Sequence, residues 1–384
     1  MPVTVISGDL ATDTINQAQR VPDMDEAIAE LDPNEAPLVA LTKKLRRKPA
    51  IAPKCEWLEH EPMPRFDVLS AAAASNATAL PVTNGAYFRV GDLIRNTTTG
   101  AGYEVTATAA GNVTVGAPLG AVAAAAHSLN DEIFIVANLN SEGAGLREIK
   151  TPRLVNQSNF CEIVRHPYGV TGTEAATKLF GGPDLAYQKA QAAVEHMRAW
   201  EQISLVGAKS ENLTTAGKPK RTAGGLLEFI QSNITNVGGA LTEVTFQQFL
   251  RTGFRYGSGG AFQDTKLLLV SPLADQAIEG FARSTIKTEA THGDLFGIKM
   301  REYTSGQGTV LITREPWLAD SATYKGYMFL VDLDSIEYRP LRETQHLTDR
   351  QSPDTDKMEN EWLTEATFVF KHERRFAVAK GITG

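Results

Sequence analysis

The spacing of apolar and polar residues changes along this chain, and each change marks a different kind of structure. In residues 182–207, Ala186, Ala190, Ala193, Val194, Met197, Trp200 and Ile203 recur at steps of three and four, the mark of an amphipathic helix. Pro183 suits the first helical position, where a missing N–H costs nothing, and Asp184 complements the positive end of the helix dipole. Gly207 supplies a natural stop. A helix over 183–206, at 1.5 Å per residue, is a rod of roughly 36 Å. Such a rod in a chain otherwise rich in short strands is a mechanical element that spans a flat domain.

From about residue 70 to 137 the period shortens to two. Ala, Gly, Thr, Val and Asn dominate, and strand-like runs fall at 87–90, 93–96, 103–108, 112–115 and 132–136. Gly91, Gly100, Gly111 and Gly116 separate them. Short strands at this spacing predict a small β-barrel or sandwich, here a module inserted into a larger fold. The alanine-rich run at 121–126 reads as a loop, and 138–153 as a polar linker.

A strand over 160–165 and a turn at 170–173 precede the long helix. After it the pattern predicts a polar loop at 210–221 and helices over 222–231, 245–256 and 274–283. Strands are expected at 266–270, 297–303, 309–313, 325–332, 336–339, 367–371 and 376–379. Helices and strands mix without a regular βαβ period, so the class is α+β.

The first 55 residues read as an extended arm. Its acidic stretch, 23–35, has room for a short helix over 24–31, and 38–45 for another turn or two. Too few apolar residues are present for a core of its own, so such an arm must lie on something else. Residues 55–61 alternate like a strand, with Trp57 as an anchor.

The full length of 384 residues suits two or three domains, and 42% hydrophobic residues supply real cores. A net charge of −7 does not describe a general nucleic-acid binder. No stretch approaches the roughly 20 apolar residues of a membrane helix. The first residues lack the basic and apolar regions of a secretory signal, so synthesis and folding in cytoplasm are expected. The two cysteines, Cys55 and Cys161, are far apart and read as separate thiols in a reducing compartment.

Chemistry is sparse. The sequence has no GxxxxGK[ST] phosphate cradle and no GxGxxG after a strand. Gly253, Gly257, Gly259 and Gly260 suit a flexible loop, and Ser258 does not sit in a hydrolase nucleophile elbow. The seven histidines form no HExxH pair. In Glu59-His60-Glu61 a strand would place the carboxylates on one face and His60 on the other. No catalytic residue, metal ligand or cofactor is therefore expected. The strongest charge feature is Lys43, Lys44, Arg46, Arg47 and Lys48, five cations in six residues. Such a run is a solvated face, pairs with acidic neighbours, or touches a phosphate backbone without regard to sequence.

Several segments are specific in combination: Trp57-Leu58-Glu59, then Asn156-Gln-Ser-Asn-Phe-Cys-Glu-Ile-Val164 with Val170-Thr-Gly-Thr173, then the long helix. Thr222-Ala-Gly-Gly-Leu226, Leu267-Leu-Leu-Val-Ser-Pro272, Phe296-Gly-Ile-Lys-Met300, Val331-Asp-Leu-Asp334 and Leu363-Thr-Glu-Ala-Thr-Phe-Val-Phe370 follow in order. Over residues 50–384 this order resembles the major capsid proteins of tailed bacteriophages with the Hong Kong 97-type fold.

The resemblance implies an amino-terminal arm (1–55) and an extended loop (56–150) carrying the inserted small β-barrel or sandwich at about 70–137. A peripheral domain (151–215) with spine helix 183–206, an axial domain (216–330) and return strands of the peripheral domain (331–384) would follow. It implies hexamers and pentamers closing an icosahedral head around double-stranded DNA, and so a place in the virion. Portal protein, with scaffold or cement proteins, would be further partners. Lys43, Lys44, Arg46, Arg47, Lys48, Trp57 and Glu59 would face a neighbouring subunit or DNA, and the β-module would project outward.

The arm is too short for a cleaved scaffolding region, and no position matches the lysine–asparagine cross-link of some relatives. An encapsulin-like nanocompartment shell is the alternative. An enzyme or a tail fibre fits less well, because no nucleophile–base or metal pattern appears and the long helix suits no fibre.

Overall fold

The computed structural model describes residues 36–120, 126–177, 184–213, 218–257, 265–285, 292–295 and 298–383, with backbone alone at 213 and 281–299. The helix expected over 24–31, nearly all of the alanine run at 121–126, and Pro183 lie outside the described residues. The chain divides into two compact units, Leu58–Gln157 and the remainder.

The larger unit begins with helix α1 (Pro37–Leu45) and strand β1 (Lys54–Glu59). The smaller unit then contributes β2 (Phe66–Val68), β3 (Ala79–Pro81), β4 (Asp92–Asn96), β5 (Gly102–Ala109), β6 (Asn112–Leu119) and β7 (Glu132–Asn138). These six pair antiparallel in the order β2-β7-β4-β5-β6-β3. An antiparallel bridge between Leu69 and Val82 joins the two ends of that order, so the sheet curls into a barrel.

Inward side chains, among them Leu80, Phe88, Ile94, Tyr103, Val105, Val113 and Ile133, fill the barrel. One polar knot is buried with them. Asn96 Nδ2 lies 2.8 Å from His127 Nδ1 and 2.9 Å from Asp131 Oδ2, and Tyr103 Oη lies 3.1 Å from His127 Nε2. The strand expected at 87–90 is instead a 3-10 turn at Gly85–Tyr87 followed by irregular chain. Gly85 lies so close to the Ala109 carbonyl that an added Cβ would sit 1.8 Å from its oxygen, and Asn84 caps the turn at Ala86 N.

The larger unit resumes with β8 (Val155–Phe160), β9 (Glu162–Thr171), α2 (Gly172–Ala176), α3 (Asp184–Val206), β10 (Ser210–Leu213), β11 (Pro219–Thr222) and α4 (Leu226–Phe229). Then come β12 (Ile234–Gly239), α5 (Glu243–Gly253), β13 (Thr265–Val270), α6 (Pro272–Thr285), β14 (His292–Leu295), β15 (Ile298–Ser305) and β16 (Gly308–Arg314). The unit ends with β17 (Met328–Val331), β18 (Ile336–Leu347), β19 (Lys357–Phe370) and β20 (Ala377–Ile382).

Seven strands form one mixed sheet in the order β12-β20-β17-β13-β16-β15-β14. A second sheet, β18-β19-β9, is antiparallel and long. Helix α3 lies against it: Trp200 meets Tyr338 and Phe368 edge-on, with ring centroids 6.5 and 6.1 Å apart.

The buried row of α3 keeps Trp200 from the expected one, with Met197 and Ile203 half-buried against the same core, but departs from it elsewhere. Ala186 and Ala190 are exposed, whereas Ala192, His196, Trp200 and Ser204, four residues apart, are buried with Glu201 and Leu205. Polar residues are stable there because each finds a partner. His196 Nε2 lies 2.7 Å from Thr364 Oγ1 on β19, and Ser204 donates to the Glu201 carbonyl at 2.7 Å.

Three further expectations are corrected. Residues 210–213 and 219–221 are not loop but pair antiparallel as β10 and β11, with Arg221 2.8 Å from Glu211. The turn at 170–173 is the end of β9 running straight into α2, whose first turn Thr171 caps. The strand over 325–332 shortens to β17, because Tyr324–Gly326 is a 3-10 turn.

Candidate functional site

The arm is the part of the chain where the sequence places charge without chemistry. Pro37 opens α1, and Leu38, Val39 and Leu41 are wholly buried in the main core beside Trp200, Tyr338 and Phe368. Ala36 offers no side-chain cap. The missing acceptor comes from α3: Glu201 Oε1 accepts from Leu38 N–H and Glu201 Oε2 from Val39 N–H, both at 2.8 Å. A carboxylate at a helix amino terminus satisfies orphan donors and meets the positive end of the dipole.

Glu201 is fully buried, and burial pushes its carboxyl up to about 7, against the pull of both backbone donors and of a hydrogen bond with Glu315.

Beyond α1 the chain adds itself to the edge of β18. Tyr338 N–H donates to Arg46 O at 3.0 Å, Lys48 N–H to Tyr338 O at 3.0 Å and Ala50 N–H to Pro340 O at 2.8 Å. Arg47 and Tyr338 form a parallel bridge. This pairing covers an otherwise open sheet edge.

The basic run is largely engaged by its own chain. Lys43 Nζ lies 5.3 Å from the Tyr338 ring centroid, and burial lowers its pKa. Arg46 pairs with Asp334 and Arg47 with Glu343. Lys44 and Lys48 are exposed.

Trp57 and Glu59 stand apart from this run, on β1. The strand alternates strictly: Cys55, Trp57 and Glu59 are buried, and Lys54, Glu56 and Leu58 are exposed. Trp57 packs on Phe229 with ring centroids 5.8 Å apart. The structure thus gathers the five cations on one segment and turns Trp57 into an internal anchor.

Glu201 caps the arm helix, and sequence reasoning missed it. The available signal was an acid at position 201 among Trp200, Ser204 and Leu205, on what becomes the buried side of the helix. Among the described residues, no group of three His, Cys, Asp or Glu side chains could hold a metal ion. No described helix is long and apolar enough to cross a membrane.

Large apolar side chains face solvent on segments without regular structure. Leu146 is 101% and Ile149 86% exposed within residues 144–154, and Ile51, just past the paired part of the arm, is 98% exposed.

Comparison with known proteins fits this architecture. Residues 8–383 match the model of the family described as SU10 major capsid protein. The major capsid protein of Pseudomonas phage PaMx41 is 19% identical over 309 residues, spanning 79% of this chain and 74% of that protein. Among solved structures, the capsid asymmetric unit of cyanophage A-1(L) superimposes with a TM-score of 0.57 at 11% identity, covering 97% of this chain and 100% of the other. The capsid of a native GTA particle gives a TM-score of 0.50 at 10% identity over 98% and 99% of the two chains. With an α+β fold shared with phage capsids and a family match along nearly its whole length, the chain belongs to the SU10 major capsid protein family, shell proteins of the phage virion.

Proposed function

We propose that the chain tiles an icosahedral head as hexamers and pentamers around double-stranded DNA, a purely architectural role. In this reading α3 is the spine helix, the unit Leu58–Gln157 rides on the extended loop and projects outward, residues 216–330 form the axial domain, and β18–β20 return through the peripheral domain. One observation carries the reading: Ile51, Leu146 and Ile149 present large apolar side chains to solvent from extended segments. Isolated exposed apolar residues are ordinary, but nearly complete exposure on unstructured chain fits surfaces that a neighbouring copy finishes. Lys44 and Lys48, still facing solvent, would meet DNA phosphates or a neighbour's acidic arm. Portal protein and scaffold or cement proteins complete the partners this reading requires.

Electron microscopy of the purified chain, alone and co-expressed with the products of neighbouring genes, tests it. Closed, thin-walled particles that hold nuclease-protected DNA are expected. A variant combining Leu146→Asp with Ile149→Asp should stay unassembled with an unchanged melting temperature. A small, uniform monomer or dimer in every condition overturns the proposal, and particles filled with protein cargo would favour the encapsulin-like alternative.

A further inference from the structure

Cys55 and Cys161 read in the sequence as unrelated thiols, yet the fold brings them together. Both are buried in one small cluster with Trp57 and Val369. Both Sγ atoms lie 3.8 Å from one oxygen, the Ala52 carbonyl. Cys161 N–H donates to Pro53 O at 2.7 Å, which fixes the two backbones side by side.

We infer that Cys55 and Cys161 form a redox-closed pair, free thiols while the chain folds in reducing surroundings and a disulfide once the particle meets a peroxide-class oxidant. The chemistry is set by an asymmetry within the pair. The hydrogen bond from Cys161, followed by the positive charge of Arg339, brings the Cys55 thiol down to about 7 against its burial. Cys161, donating that hydrogen bond and itself buried, is held in its protonated form. A thiolate beside a protonated partner is the arrangement of an attacking and a resolving cysteine.

The Cys55 thiolate attacks one oxygen of hydrogen peroxide. The O–O bond breaks, hydroxide leaves, and Cys55 becomes a sulfenic acid. The Cys161 sulfur then attacks the Cys55 sulfur, the S–O bond breaks, and the Cys161 proton goes to the departing hydroxide as water. In sum two thiols and one peroxide give one disulfide and two waters, with the peroxide oxygens reduced and both sulfurs oxidised.

The position gives the bond a consequence. The unit Leu58–Gln157 begins three residues after Cys55 and ends four before Cys161. A bond between them closes a loop of about a hundred residues, the length regime in which a cross-link most restricts the unfolded chain. It also keeps the chain joined if that unit is cut.

The test uses the full chain as purified, reduced and then split into untreated and stoichiometric hydrogen peroxide arms. Both are denatured with an alkylating agent. Treatment should abolish both alkylations, lower the intact mass by two hydrogens, and yield a Cys55 peptide joined to a Cys161 peptide in the unreduced digest. Trypsin cuts inside residues 58–157 should leave one band on a non-reducing gel that separates on reduction. The Cys161→Ser chain should stop at the sulfenic acid and show no linked peptide. Two alkylated thiols after treatment, a sulfinic acid on Cys55 with Cys161 free, or links only between different chains would each overturn the inference. The wild-type measurements decide it even where the variant fails to fold.

Discussion

Glu201, in the last third of the long helix α3, caps the arm helix through the backbone N–H of Leu38, 163 positions earlier in the chain. The contact adds to the burial of Leu38, Val39 and Leu41 in fastening the arm to the main core. Replacing Glu201 with Ala would strand two buried donors and leave a void, a loss of about 2–4 kcal/mol. Glu201→Gln keeps one acceptor and should cost less than half of that. Urea unfolding midpoints measure both, and faster amide exchange confined to α1 would place the damage at the arm. Equal losses for Ala and Gln would show that both acceptor oxygens are needed and that lost volume adds nothing at this position.

The same carboxyl makes stability depend on pH. Burial raises Glu201 from 4.5 to about 7, so between those values the folded chain holds a proton that the unfolded chain has released. Its contribution is complete below 4.5 and fades as pH rises through 7. His196 works in the opposite sense. Its ring sits 3.1 Å from that of His166, Nδ1 to Nδ1. Burial, then His166 and Lys43, hold it down at about 4 against an unfolded value of 6.5. Its contribution is present above 6.5 and is lost as pH falls towards 4. The two offset each other in mildly acidic solution, and above 6.5 only the Glu201 slope remains. Glu201→Gln should therefore flatten the decline of the urea midpoint between about pH 6.5 and 8, while His196→Gln flattens the acid side. An unchanged alkaline slope in Glu201→Gln would assign that proton to another group.

Local pattern made part of this fold legible and hid the rest for physical reasons. Residues 266–270 read as a buried strand because all but the lysine are apolar, and they form the centre of the seven-stranded sheet as β13. Only the last residues of β19 read as strand. Before those it carries Glu359, Glu361 and Glu365, and the latter two are neutralised by Arg165 and Arg342 on the strands to either side. The polar pair β10–β11 was invisible for the same reason, since Glu211 and Arg221 signal a strand pair only once they are opposite each other. The basic run was visible as charge. Its partners Asp334 and Glu343 lie some 290 positions away, so its attachment to β18 was not.

Two glycines meet where α3 ends. Gly225 N–H donates to Gly207 O at 2.7 Å. A Cβ on Gly207 would sit 2.5 Å from Ala223 O, and one on Gly225 2.5 Å from Ile203 O. Those neighbours are backbone and cannot swing aside, so Gly207→Ala or Gly225→Ala should cost about 1–3 kcal/mol by overpacking. Gly280, in α6, has nothing within 4 Å of its Cβ position. There the same substitution should stabilise by up to about 1 kcal/mol through helix propensity. Melting temperatures of the three single variants should move in these opposite directions, and a loss at Gly280 matching that at Gly207 would refute the steric account.

The arm divides into two stretches that deletion can separate. An arm lying wholly on neighbours would tolerate removal of residues 1–50 with the monomer intact. The structure predicts otherwise, because Leu38, Val39 and Leu41 are core residues and residues 46–50 occupy the edge of β18. Removing 1–50 would expose the face of Trp200 and Tyr338 that α1 covers and would orphan Glu201. Each buried Leu or Val lost is worth about 1.5–3 kcal/mol, so that chain should be insoluble or unfolded. Removing 1–35 leaves Pro37, the Glu201 cap and the whole of α1 in place. Its melting temperature should match the full chain, while particle formation by electron microscopy is lost if residues 1–35 serve a neighbouring subunit. Full-size particles from the 36–384 chain would confine the arm's assembly role to the residues after Ala36, and a folded monomer from the 51–384 chain would refute the role of α1 in the core.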